Sequence, residues 1–329
     1  MRSHSNRTIA GAAALTVVVA VGLSACSSST TTPSTPSGAA GPKTIKTLQF
    51  VNPLPSVSVW KQISDCISAE AKAKGIAFTE SGPPASKPGD PAVMIQQVQD
   101  AVAAKKDAVI TFPASAAFGP VLSRAQKSGV LTATLYGDGK PESGATVNAG
   151  VDWGVIGKEY VDAIAALPGQ HVVGLVAEGP TGIGKSWTDG VEAAAAKTAN
   201  VKVKATVYIG ADASKALPQV TSLLTANPTI DIVASNTGLM TQGGVAAIKS
   251  LGLRDKVRLL VINNDNGGPQ AVQDGYAIGV FLQDLCDLSK RTVEGLVQAS
   301  TGAQVPLVQV HDIIATKDNF QEYIAKGWN

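Results

Sequence analysis

Charge is scarce in this sequence, and neither sign dominates. Of 329 residues only 16% are Asp, Glu, Lys or Arg, with 27 basic against 25 acidic side chains. Scattered, balanced charge of this kind supplies no basic patch for a phosphate backbone, which excludes nucleic acid as a partner. Cysteine is equally sparse: Cys26, Cys66 and Cys286 are the only three, too few for a small disulfide-stapled scaffold. The three histidines, His4, His171 and His311, lie too far apart to suggest a metal pair, so neither a metal nor another cofactor is expected. No Gly-x-Ser-x-Gly elbow occurs, and no Ser-His-Asp order has supporting turn chemistry, so no catalytic residue is nominated. Long apolar runs are missing too. The one candidate, residues 9–22, is short for a permanent membrane span, which excludes a multi-span protein.

That run has a different reading. Arg2, His4 and Arg7 precede it, and Leu23-Ser24-Ala25-Cys26 follows, then a tract of Ser, Thr and Pro. A basic start, a short apolar segment and small residues at a cleavage point make a secretory signal, expected over residues 1–25. Leu-Ser-Ala-Cys resembles the lipobox of bacterial lipoproteins, which implies lipidation of Cys26 and a membrane anchor. Removing residues 1–25 takes away Arg2 and Arg7 and no acid, leaving 25 basic against 25 acidic groups. Residues 26–43, almost entirely Ser, Thr, Pro, Gly and Ala, are expected to form a flexible tether. The body is therefore expected outside the cytoplasm, at the cell membrane. There Cys66 and Cys286 are free to pair across about 220 residues or to remain as two buried thiols.

What is abundant is alternation. Short β-branched runs at residues 47–51, 77–80, 108–112, 131–135, 146–151, 171–177, 203–208, 230–235, 258–262 and 278–281 alternate with Ala-rich amphipathic stretches. In the stretch 59–74, Trp60, Ile63, Ile67 and Ala71 recur at helical spacing. Strand and helix in alternation predict an α/β fold with parallel sheets covered on both faces. Ten strands suit two five-stranded, doubly wound lobes. In such sheets ligands bind beyond the carboxyl ends of the strands, so the turns Phe112-Pro113-Ala114 and Ser235-Asn236-Thr237 mark the functional edges. A cleft between two such edges is a natural small-molecule site.

One motif competes with that reading. Gly179-Pro180-Thr181-Gly182-Ile183-Gly184-Lys185-Ser186 fits the phosphate-loop pattern G-x-x-x-x-G-K-[ST], between an apolar strand and a helix expected from Trp187. Lys185 would reach a terminal phosphate and Ser186 would hold Mg²⁺, making a nucleotide- or phosphate-binding enzyme the alternative function. Against it, Pro180 removes a backbone N–H from the loop, and only Asp265 offers itself as a second Mg²⁺ ligand.

The landmarks taken together resemble a known family. Asn52-Pro53 before Trp60, Asp90-Pro91-Ala92 followed by Gln96-Gln97, Ala108-Val109-Ile110, Gly150-Val151-Asp152, Glu178-Gly179-Pro180, Ala234-Ser235-Asn236, Gln273-Asp274-Gly275 and Gln283 resemble the periplasmic sugar-binding proteins of ABC importers, of the ribose/galactose-binding type. The resemblance implies a type I periplasmic binding fold, two lobes joined by a three-segment hinge: residues 44–151 plus 284–311, and 152–283 plus 312–329. It implies no enzymatic activity, but a monomer that captures a small solute and hands it to a membrane permease, or senses it for a receptor. It places Cys66 and Cys286 on neighbouring helices of one lobe, which implies a disulfide. Its ligand contacts map onto Trp60, Tyr136, Asp138, Asp152, Trp153, Trp187, Asn236, Asn263 and Gln283, a set of flat rings and bidentate polar groups suited to a sugar. Tyr136-Gly137, Trp187 and Asn263 stand where the family usually carries charged residues. That departure implies a neutral ligand, a sugar, deoxy-sugar or polyol, held without guanidinium groups.

Overall fold

The computed structural model describes residues 43–137 and 143–329, apart from the side chain of Asp265. The expected leader, Cys26, most of the expected tether, and Asp138 lie outside the described residues.

All ten β-branched runs form strands. β1 (Thr47–Val51), β2 (Ala77–Ser81), β3 (Ala108–Thr111), β4 (Leu131–Gly137) and β5 (Val147–Gly150) share one sheet. β6 (His171–Ala177), β7 (Val201–Tyr208), β8 (Ile232–Ser235), β9 (Arg258–Ile262) and β10 (Ala277–Gln283) share another. The expectation of five strands per sheet is corrected to six. β11 (Val308–Gln309) joins the first sheet beside β5, and β12 (Asp312–Ala315) joins the second, antiparallel to β10. Neither is legible from periodicity, since one is two residues long and the other has three half-buried residues in four.

The sheets repeat one order. The first runs β11-β5-β4-β3-β1-β2 and the second β12-β10-β9-β8-β6-β7, with every pairing parallel except that of β12. Counted within each half, both follow 2-1-3-4-5, so each has a switch point between its first and third strands. The inner strands β3 and β8 are buried along their whole length, as sheets covered on both faces require. The chain passes to the second sheet after β5, returns after β10, and passes over again between β11 and β12.

Local chemistry starts the helices. In α2 (Pro91–Ala103), Pro91 occupies the first turn and the Asp90 carboxylate accepts from the N–H groups of Ala92 and Val93, at 2.9 and 3.3 Å. Aspartates do the same immediately after two of the passages between sheets. Asp152 accepts from Gly154 and Val155 at the start of α4 (Trp153–Ala165), and Asp284 accepts from Asp287 at the start of α9 (Leu285–Ser300). Helix α5 (Gly182–Ala195) starts five residues before the expected Trp187, because Gly182 takes the left-handed conformation (φ 61°) that turns the chain out of the loop. It packs closely on α4. A Cβ at Gly157 would stand 2.7 Å from the Trp187 carbonyl oxygen, and one at Gly190 only 2.7 Å from the Gly154 Cα.

Two ties join distant parts of the chain. Cys66 on α1 (Ser58–Ala73) and Cys286 on α9 form a disulfide, with Cα atoms 5.2 Å apart. Beside it the Gln62 amide donates to the Gly327 carbonyl at 2.7 Å and accepts from Asn329 Nδ2 at 3.0 Å. Asn329 in turn exchanges backbone hydrogen bonds with Gln283 at 2.7 and 2.9 Å and accepts from the Asn264 N–H. The last residues thereby clamp α1 of the first lobe to the ends of β9 and β10 in the second.

The disulfide closes a loop of 220 residues, so its removal frees much unfolded-state entropy. A Cys66→Ser/Cys286→Ser variant is expected to lose stability, by up to about 5 kcal/mol on loop-closure grounds. Equilibrium urea unfolding with and without reductant checks this. Coincident midpoints for the oxidised and reduced wild type would show that the bridge carries no stability.

Candidate functional site

Two switch points face the same space. In the first sheet, Asn52 follows β1 and Phe112 follows β3; in the second, Glu178 follows β6 and Asn236 follows β8. A cleft of about 670 Å³ lies at these strand ends. Its walls include Phe112, Pro113 and Ser115 from the first lobe and Glu178, Thr181 and Ile183 from the second, with Gly137 and Ser143 alongside. The turn Phe112-Pro113-Ala114, expected at the functional edge, is part of this wall.

Local bonding fixes both rims. The buried Asn52 side chain donates to the Trp60 carbonyl and to Glu80 Oε1, and accepts from the Leu54 N–H at 2.9 Å, which sets the start of α1. Asn236, equally buried, accepts the Glu178 N–H on its Oδ1 at 3.3 Å, so one side chain spans the switch point of the second sheet.

The residues nominated from sequence form a different set from the cleft wall. Of the eight that are described, none lines the cleft. Trp60, Tyr136 and Trp153 make a chain of edge-on ring contacts, with centroids 5.7 and 5.8 Å apart, and Trp60 extends it to Phe112 at 5.4 Å. The chain joins the first lobe (Trp60, Tyr136) to the first turn of the second (Trp153). Tyr136 Oη donates to Gln283 Oε1, a second link from β4 to β10. Trp187 is fully buried and packs edge-on against Tyr160, whose hydroxyl donates to the Ser235 carbonyl at 3.0 Å. Asp152 is exposed, and its Oδ1 is engaged in capping α4.

Two features mark this group. Eight buried side-chain N or O atoms among the described residues lack a hydrogen-bond partner. Five belong to nominated residues: Trp153 Nε1, Trp187 Nε1, Asn236 Nδ2, Asn263 Oδ1 and Gln283 Nε2. Each such atom costs about 1–3 kcal/mol when left unpaired. Backbone strain falls in the same place. Only four non-glycine described residues have positive φ, and Tyr136 (60°) and Asn263 (72°) are two of them. A bulky residue such as Tyr136 is a genuine outlier there, at a cost of about 1–3 kcal/mol.

Sequence reasoning did not nominate Phe112, Ser115, Ser143, Glu178 or Thr181 as contacts. The signal that finds Phe112 and Glu178 is topological: each follows a strand beside a switch point, and strand order is not written in local periodicity.

Lys185 gives the phosphate-loop pattern a different meaning. Its ammonium contacts both carboxylate oxygens of Asp189 at 2.7 Å, on the exposed face one turn further along α5 and away from the loop. Gly184 serves packing, since a Cβ there would stand 2.8 Å from the Gly179 nitrogen, and Gly182 serves the turn. No cluster of three or more His, Cys, Asp or Glu able to hold a metal occurs among the described residues. No helix among them is long and apolar enough to cross a membrane.

Three carboxyls hold their protons unusually tightly. Burial raises Glu178 to about 7. Burial, then the charges of Asp312 and Asp162, raises Glu159 on α4 to about 7. Burial raises Asp312, at the start of β12, to about 6 against the lowering influence of His311.

Residues 48–304 match the family described as periplasmic binding protein domain. A search of curated proteins by sequence finds no match. Among solved structures, a glucose-galactose binding protein from Geobacillus stearothermophilus superposes with a TM-score of 0.78 at 18% identity, covering 84% of this chain and 99% of its own. An ABC transporter periplasmic solute binding protein from Actinobacillus succinogenes with bound D-allose gives 0.74 at 21%, covering 84% and 100%. A carbohydrate transporter solute binding protein from Agrobacterium radiobacter in complex with D-arabinose gives 0.75 at 23%, covering 86% and 98%. At these identities the likeness shows the two-lobed fold.

Raised carboxyl pKa values mean that the native state binds more protons than the unfolded chain between about pH 4.5 and 7, so stability falls as pH rises through that window. Glu178→Gln is expected to exceed the wild type by about 1–3 kcal/mol at pH 8 and to match it at pH 4.5, on the linkage of one pKa unit to 1.36 kcal/mol. Denaturant unfolding at the two pH values measures this. Equal stability of the two proteins at pH 8 would mean that the Glu178 carboxyl is well solvated.

Proposed function

The chain belongs to the periplasmic binding protein domain family, and on that premise we propose that it is the extracytoplasmic solute-binding component of an ABC importer, taking a small sugar-like or polyol ligand between its lobes. The observation that carries this reading is the concentration of unpartnered buried polar atoms on nominated residues of the second lobe, at the ends of β8, β9 and β10 and in the first two turns of α4 and α5, four of the five being N–H groups. Hydroxyl and ring oxygens of a polyol accept hydrogen bonds from such groups, and the hydroxyls donate to Asn263 Oδ1. The aromatic chain from Phe112 to Trp153 offers the flat apolar surface that a sugar's C–H face requires. Sugar ligands in structures of the same fold agree with this class.

The three strand-to-strand passages between the sheets, two of them followed directly by an aspartate-capped helix, are the segments about which the lobes would close. The leader and Cys26 supply the expected lipid anchor, which would keep the captured solute beside a membrane permease. Nothing in this reading calls for catalysis.

A thermal-shift screen of sugars, deoxy-sugars and polyols tests the proposal, because a ligand at 100 times its Kd stabilises the folded state by about 2.7 kcal/mol. A saturable rise in Tm for a member of these classes is expected, with no shift from ATP or GTP. Trp187→Phe removes the indole N–H while keeping a ring against Tyr160, and is expected to weaken the hit about three- to tenfold, the worth of one hydrogen bond. A shift from nucleotide and none from the panel would overturn the reading.

A further inference from the structure

Among the described residues the cleft wall carries one ionisable side chain, and none of them pairs with it. Among the described lining residues Glu178 is the sole ionisable group, the others being Phe, Pro, Ala, Ser, Gly, Thr and Ile. Its backbone is fixed on both sides, the N–H by Asn236 and the carbonyl by the Gly210 N–H at 2.8 Å. The carboxyl is thereby held at the switch point of the second sheet with no hydrogen bond or ion pair to another described residue. Lys185, on the helix that follows, is the nearest base in sequence, and Asp189 holds it on the outer face.

A carboxylate enclosed in a closing cleft needs a counter-charge, since an unpaired buried charge costs several kcal/mol and a paired one far less. We propose that the ligand supplies it: Glu178 is a specificity-determining residue that pairs with a protonated amine, and the solute is an amino sugar or amino polyol. The inference rests on the sugar-like reading of the cleft and replaces the uncharged ligand expected from sequence, which did not count Glu178 among the contacts. The unpartnered N–H groups of Trp153, Trp187, Asn236 and Gln283 remain the hydroxyl-reading part of the site. Phe112 on the opposite wall adds an aromatic ring, which a cation also favours. The proton-holding tendency of Glu178 in the free protein agrees with a carboxylate that waits for its partner: a cation arriving beside it favours the ionised form.

Matched pairs test this by isothermal titration on the intact protein: glucosamine against glucose, galactosamine against galactose, and 1-amino-1-deoxysorbitol against sorbitol. For at least one pair the amine is expected to bind about tenfold or more tightly than its hydroxyl counterpart, the worth of a charge-assisted hydrogen bond. Its affinity should rise between pH 5 and pH 7, where the amines stay protonated while Glu178 ionises, and Glu178→Gln should bring the ratio within the pair to about one. Neutral members binding as tightly as amines, or affinity falling with pH, overturns the inference and leaves the sugar-like reading standing. If no member of any pair binds, both fall.

Discussion

In a parallel sheet every strand runs the same way, so every strand-to-helix turn emerges at one edge, and where the strand order reverses the helices diverge and leave a crevice. Both sheets of this protein reverse once, between β1 and β3 and between β6 and β8. The cleft is the meeting of those two crevices. Phe112 and Glu178 line it because they follow strands at the reversals, and Asn236 reinforces the second reversal by bonding across it. The ring chain from Trp60 through Tyr136 to Trp153 then carries contact from one lobe to the other just behind this edge.

Holding such an edge together is costly. The strained Tyr136 and Asn263 backbones, the unpartnered indole and amide groups, and the desolvated Glu178 all work against stability. The opposing contributions lie mostly away from the cleft: the 220-residue disulfide loop, the glycine-mediated approach of α4 to α5, and the clamp of Gln62, Asn329 and Gln283. Strain at one edge and rigid packing elsewhere is the distribution expected of a site that completes its bonding with a ligand.

Much of this was legible in the sequence. The alternation of β-branched runs with Ala-rich stretches gave the α/β class and the first ten strands, because a buried parallel strand is an apolar run bounded by polar turns. Short edge strands such as β11 lack that signal. Among the aromatic and amide residues nominated by resemblance, Trp60, Tyr136, Trp153 and Gln283 form one chain of contacts, and Trp153 and Trp187 are only 2% and 0% exposed. A Trp at the start of a helix reads the same from sequence whether it faces the cleft or the core. Glu178 stood in view as a landmark beside a glycine-rich turn. Its importance came from strand order and from having no base beside it among the described lining residues, both of which are properties of the tertiary structure.

The most direct measurement of the central claim is a crystal structure of the protein with the tightest-binding small hydroxylated ligand. The account predicts that ligand in the cleft at the two switch points, bonded to Glu178 and to the unpartnered polar atoms of Asn236 or Gln283, with Phe112 against its apolar face. A ligand seated on the exposed face of α5 beside Lys185 and Asp189, with the cleft unengaged, would contradict it.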